Sequence, residues 1–115
     1  MDDDKRKQKR WHLIYYLKVY DNKTGEMIGH MADLSPKGLM IVTEGDIELD
    51  QEFSLKMELP DTFQHKREIT FDAMSLWSKK DINPDFNAIG FRFLKITKSD
   101  MEIVKELILK YFFND

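Results

Sequence analysis

Residues 51 to 59 alternate without a break. Phe53, Leu55, Met57 and Leu59 fall on one side, and Glu52, Ser54, Lys56 and Glu58 on the other. A period of two suits an extended chain with one wet face and one dry face. It does not suit a helix, which would scatter the four apolar residues around its surface. A one-residue slip would turn all four toward water, so the stretch also fixes its own register. It therefore reads as a half-buried antiparallel strand, ended by Pro60-Asp61, that needs partners on both sides.

The rest of the chain supplies them. Trp11 to Tyr20 is rich in aromatic and β-branched residues, with Trp11, Leu13, Tyr15, Leu17 and Val19 on one face. Asp21-Asn22-Lys23-Thr24-Gly25 is a turn, and Glu26 to Leu34 returns as a second strand. Leu39 to Thr43 is a third strand, closed by Glu44-Gly45-Asp46. Arg67 to Lys79 is a longer one, with Ile69, Phe71, Ala73, Ser75 and Trp77 expected on a single face. Ala88 to Leu94 is the last, and Gly90 within it suggests a bulge or a close backbone approach. The period then changes. Val104, Leu107, Ile108 and Tyr111 recur at helical spacing, Met101 and Phe112 adjoin them, and Ser99 with Glu102 has the form of a capping box. The expectation is a mostly β domain over residues 11–115. It is a six-stranded antiparallel β-barrel with a C-terminal α-helix over 99–113. Residues 1–10 are nearly all charged and read as a flexible basic arm.

Composition narrows the function. A single domain suits 115 residues. With 18 basic and 21 acidic residues the formal net charge is −3, which argues against a partner such as long nucleic acid. There is no cysteine, so neither disulfides nor thiolate metal sites are available. No apolar run approaches the roughly 20 residues of a membrane span, and no secretory leader is visible. These features lead to the expectation of a cytoplasmic domain with no membrane contact. His12, His30 and His65 are scattered without metal-ligand spacing. No serine, cysteine or glycine-rich loop forms a catalytic constellation, so an enzyme is not expected.

Two short stretches carry binding chemistry. Asp33-Leu34-Ser35-Pro36-Lys37-Gly38 is a polar turn between apolar runs. Asp33 can accept two N–H donors from a planar ligand edge, and Ser35 can donate and accept. Gly38 permits positive φ and close approach, and Pro36 stiffens the turn. Near the N-terminus, Arg6 and Arg10 stand four apart within a basic run. A guanidinium grips phosphate bidentately, stacks on a ring, or forks onto the O6/N7 edge of guanine. The expected hairpin brings Asp33 back toward the start of the first strand, and so toward Arg10.

Together, Arg6…Arg10 and Asp33-x-Ser35-x-x-Gly38 resemble the paired RxxxR and [DN]xSxxG signature of the PilZ family of cyclic di-GMP receptors. The Trp77 strand and Gly90-Phe91-Arg92-Phe93 resemble the later part of that family. The resemblance implies a barrel with a helix laid on it and a ligand, cyclic di-GMP, held on its outside. Arg6 and Arg10 would hold phosphates and guanine edges. Asp33 would accept from guanine N1–H and N2–H₂, Ser35 would contact a phosphate or base, and Gly38 would leave room. It also implies an arm that orders on binding and signals to a protein partner, in motility, exopolysaccharide synthesis or virulence.

Two other readings remain open. One is a PilZ-like protein-interaction module without ligand; the other is a binder of single strands, against which the acidic balance counts. Trp77 reads as a core or barrel-wall aromatic, and Arg92 as a solvent-facing arginine that can join the site from a neighbouring strand. Tyr111-Phe112-Phe113 offers a dimer or partner contact.

Overall fold

The computed structural model describes residues 17–63 and 66–111. The expected first half of strand one, the basic arm with Arg6 and Arg10, His12, His65 and the Phe112-Phe113 end of the tail lie outside the described residues.

Six strands run β1 Lys18–Asp21, β2 Met27–Ser35, β3 Gly38–Thr43, β4 Glu52–Glu58, β5 Glu68–Lys80 and β6 Asn87–Lys95, followed by helix α1 Lys98–Tyr111. They form a closed antiparallel barrel in the order β1-β2-β3-β6-β5-β4, with β1 also paired to β4. Closure gives every described strand a neighbour on both sides over part of its length, which suits a chain of short strands.

The period-two reading holds where it was clearest. Leu55 and Met57 are fully buried, and Val19, Met31, Ile41, Ile69 and Ile89 join them in the barrel interior. Helix α1 adds Ile103, Val104, Leu107 and Ile108 to the same cluster, with Met101 half-buried beside them. Phe71 and Phe93 meet edge to face at 5.0 Å. Such a pair adds to the stabilisation from area burial alone.

The helix starts differently from the expected capping box. Lys98 is already helical, and the cap is Thr97, whose Oγ accepts the backbone N–H of Asp100 at 3.1 Å. Asp100 in the first turn is buried and ion-paired to Lys66. A carboxylate there suits the positive end of the helix dipole, and the pair ties the β4–β5 connection to the helix. A capping box from Ser99 to Glu102 is not used, because Thr97 already accepts the third N–H of the helix.

Of the register shifts among the described strands, two decide which side chains face out beside the β2–β3 hairpin. Between β2 and β3 the register passes from Met31↔Ile41 to Asp33↔Met40, leaving Ala32 as the extra residue. Between β5 and β6 it passes from Ser75↔Phe91 to Trp77↔Gly90, leaving Leu76 extra. Each extra residue flips the alternation that follows it. Ile69, Phe71, Ala73 and Ser75 therefore point inward as expected, whereas Trp77 does not share their face and is 40% exposed.

Candidate functional site

The β2–β3 hairpin is a two-residue turn, Pro36-Lys37, closed by the pair Ser35↔Gly38. Pro36 supplies a fixed φ, and the Lys37 N–H is taken by Ser35 Oγ at 3.2 Å. Past the Ala32 bulge, Asp33 and Ser35 are both exposed, with buried Leu34 between them. The hairpin thus presents a carboxylate and a hydroxyl side by side on the outer face. Asp33 Oδ1 accepts the N–H of Leu34 at 2.9 Å, which holds the carboxylate against its own strand.

Gly38 is placed by a need other than turn geometry. Among the described residues the glycine with positive φ is Gly25, in the β1–β2 turn, and not Gly38. A Cβ at Gly38 would lie 2.0 Å from the Phe91 carbonyl oxygen and 3.0 Å from Arg92 Cα. The missing side chain therefore lets β3 close onto β6, and Lys37 O accepts the N–H of Phe93 at 2.9 Å at that junction.

Strand pairing assembles the site in two rows across the outer face. The first runs Asp33–Met40–Gly90–Trp77 and the second Ser35–Gly38–Arg92–Met74. At about 4.8 Å between strands, Asp33 and Trp77 stand roughly 14 Å apart along the surface, and Ser35 and Arg92 roughly 10 Å. Trp77 lies over Gly90, where an added Cβ would meet its ring at 2.2 Å. The Lys79 ammonium sits 5.5 Å from the Trp77 ring centroid, a cation–π contact. All of these residues except Met74 and Lys79 line one shallow cavity of about 330 Å³, together with Leu34, Lys37, Leu39, Leu76 and Phe91. It offers an acceptor edge, an indole face, a hydroxyl and a guanidinium, the groups that recognise a purine nucleotide. Among the described residues, no three histidines or carboxylates gather as metal ligands.

Of the expected site residues, Asp33, Ser35 and Gly38 come together here. Trp77, which the sequence reads as a core or wall aromatic, and Arg92, a solvent-facing arginine that can join the site, line the same cavity. For Trp77 only the cross-strand register shows this, because nothing in its local pattern marks the Leu76 bulge. At the other end, Leu17 O accepts the N–H of Met31, and Lys18 pairs with His30. The chain thus enters β1 from the end of β2 that carries Asp33 and Ser35.

The fold is a small closed β-barrel packed against one helix, with a shallow cavity on its outer face. The chain belongs to the PilZ domain family, whose model matches residues 4–110. Domains of this family are generally receptors without catalytic activity. Comparison with curated proteins finds no match. Among solved structures it is similar to the Bacillus subtilis inhibitor of motility, MotI/DgrA, at 17% identity and a TM-score of 0.69. That match covers 86% of this chain and 48% of the other, so the chain spans about half the length of that protein. It is also similar to the PilZ domain of YcgR from Escherichia coli, solved with c-di-GMP, at 16% identity and a TM-score of 0.62, covering 84% of this chain and 80% of that one. At these identities the structural likeness establishes the shared fold.

Proposed function

We propose that this domain is a cyclic di-GMP receptor, not an enzyme, and that the ligand lies on the outer face built from β2, β3, β6 and β5. The observation that carries this reading is the Asp33–Ser35 pair, set outward by the Ala32 bulge at the rim of a cavity floored by Trp77. Asp33 accepts from the N1–H and N2–H₂ of one guanine, and the Trp77 face takes a base by stacking. Ser35 donates to a phosphate or base.

Arg6 and Arg10 complete the site from the segment that leads into β1. The start of β1 supports this, since Leu17 and Lys18 pair with Met31 and His30, at the end of β2 nearer Asp33. The arm folds over the ligand and presents a new surface to a protein partner, or to a second copy of the chain. The YcgR domain solved with c-di-GMP supports the ligand, and the motility inhibitor supports an output in motility, with exopolysaccharide synthesis and virulence as the other candidates. The proposed setting is the cytoplasm, where a nucleotide second messenger is made and read. Among the described residues, no helix is long and apolar enough to cross a membrane.

Calorimetric titration with cyclic di-GMP, GTP and a short oligonucleotide tests the reading. Charge-assisted hydrogen bonds are worth about 1.5–3 kcal/mol, so Arg10→Ala and Asp33→Ala should each weaken cyclic di-GMP binding by about one to two orders of magnitude. Both variants should melt like the parent. If both bind like the parent, the site assignment is wrong. If the parent takes up no cyclic di-GMP, a domain acting by protein contact alone replaces the receptor.

A further inference from the structure

We propose that Arg92 is a phosphate-binding residue of this face, working with Ser35 from opposite ends of the second cross-strand row. The proposal rests on the cyclic di-GMP reading and extends it to a residue outside the paired signature motifs.

The row geometry separates two kinds of chemistry. Asp33 and Trp77, an acceptor edge and a stacking face, share the first row and suit bases. Ser35 and Arg92 share the second, and both are donors that suit phosphate oxygens. Gly38 is the residue between them and carries no side chain, so nothing stands in the row from the hydroxyl to the guanidinium. The two rows are two residues apart along β2, β3 and β6, about 7 Å, and three apart on β5, where Leu76 is the extra residue. That is a fitting offset between a guanine and the phosphodiester ring joined to it through a ribose.

Arg92 is free to serve. It is exposed on β6, and both ion pairs seen among the described residues, Lys66–Asp100 and Lys110–Glu106, lie elsewhere. The carboxylate in its own row, Glu52, stands beyond Met74, a further two strands away at roughly 10 Å. Its backbone is fixed from both sides by pairing with Gly38 and Met74, so the guanidinium projects from a rigid platform.

Calorimetry with cyclic di-GMP at low and moderate salt, on the full chain, tests this. Arg92→Ala should lose about ten- to a hundredfold in affinity, the equivalent of one charge-assisted contact. Arg92→Lys should recover part of that loss, because a lysine keeps the charge but not the fork. The affinity of Arg92→Ala should also fall less steeply with salt than that of the parent, as one phosphate contact is gone. Melting temperatures should stay level, since the side chain is exposed. If the parent binds and Arg92→Ala binds within about twofold of it, this proposal fails and the receptor reading stands. If affinity falls but Arg92→Gln equals Arg92→Lys and the salt slope is unchanged, Arg92 is not a phosphate contact. A parent that takes up no cyclic di-GMP overturns both.

Discussion

Gly38→Ala should weaken the barrel before any ligand is present. The backbone at Gly38 is not in the left-handed region, so an alanine meets no torsional penalty there. What it meets is the neighbouring strand. Its Cβ would lie 2.0 Å from the Phe91 carbonyl oxygen, far inside van der Waals contact, and 3.0 Å from Arg92 Cα. Both are backbone atoms of β6, so no rotamer change relieves the clash. β3 and β6 must part, which strains the Phe93 N–H to Lys37 O bond of 2.9 Å at the mouth of the hairpin. Overpacking of this kind costs about 1–3 kcal/mol. Against it stands a gain of about 0.4–1 kcal/mol, because alanine restricts the unfolded chain more than glycine does. The net loss is about 1–2 kcal/mol, which for a domain of this size lowers the melting temperature by about 4–8 °C. Thermal unfolding followed by circular dichroism without ligand reads this directly, with Ser35→Ala as an exposed neighbour that should melt like the parent. If Gly38→Ala melts within about 1 °C of the parent, the inter-strand reasoning is wrong and the glycine serves the ligand instead. If it melts low, loss of binding in this variant reports a distorted sheet as well as a filled site.

Three other outcomes follow from the geometry. Ser75 is fully buried, donates from Oγ to Glu48 O at 2.7 Å and accepts from the Gln51 N–H at 3.2 Å; Ser75→Ala should cost about 1–3 kcal/mol in chemical denaturation. Trp77→Ala should lower cyclic di-GMP affinity by about 1–3 kcal/mol, the worth of one stacked base, with Trp77 fluorescence changing on titration in a Trp11→Phe background. The Tyr20 hydroxyl donates to Glu58 Oε2 at 3.0 Å, and desolvation followed by that carboxylate raises its pKa above the ordinary 10.0. A raised folded-state pKa contributes stability that is present below pH 10 and lost as pH rises through the folded value, so Tyr20→Phe should flatten the alkaline fall in melting temperature.

The strands were legible because each interior face is written in alternate residues. Leu55 and Met57 in β4, or Ile69, Phe71 and Ala73 in β5, need no tertiary information to be placed. The helix was legible from Val104, Leu107 and Ile108 for the same reason at the other period. The bulges were not, because one extra residue at Ala32 or Leu76 leaves composition unchanged and shows only against a partner strand. That is why Trp77 was read as part of an inward face and lies on the outer one. Asp33, Ser35 and Gly38 could be found because they sit on one short turn. Arg92 joins them through β3–β6 pairing, a neighbourhood that sequence distance hides. Thr97 outcompeted Ser99 as the helix cap because it stands at the position whose hydroxyl reaches Asp100 N–H.

The closed hoop of six strands has a bearing on how a partner can meet this domain. With β1 zipped to β4, the middle of the described cylinder offers no free strand edge onto which a visiting chain can lay a further strand. A partner that docks on that part of the wall must therefore read side chains and not borrow backbone. Discrimination then rests on surface shape and charge, features that a handful of substitutions can retune while the cylinder stays as it is.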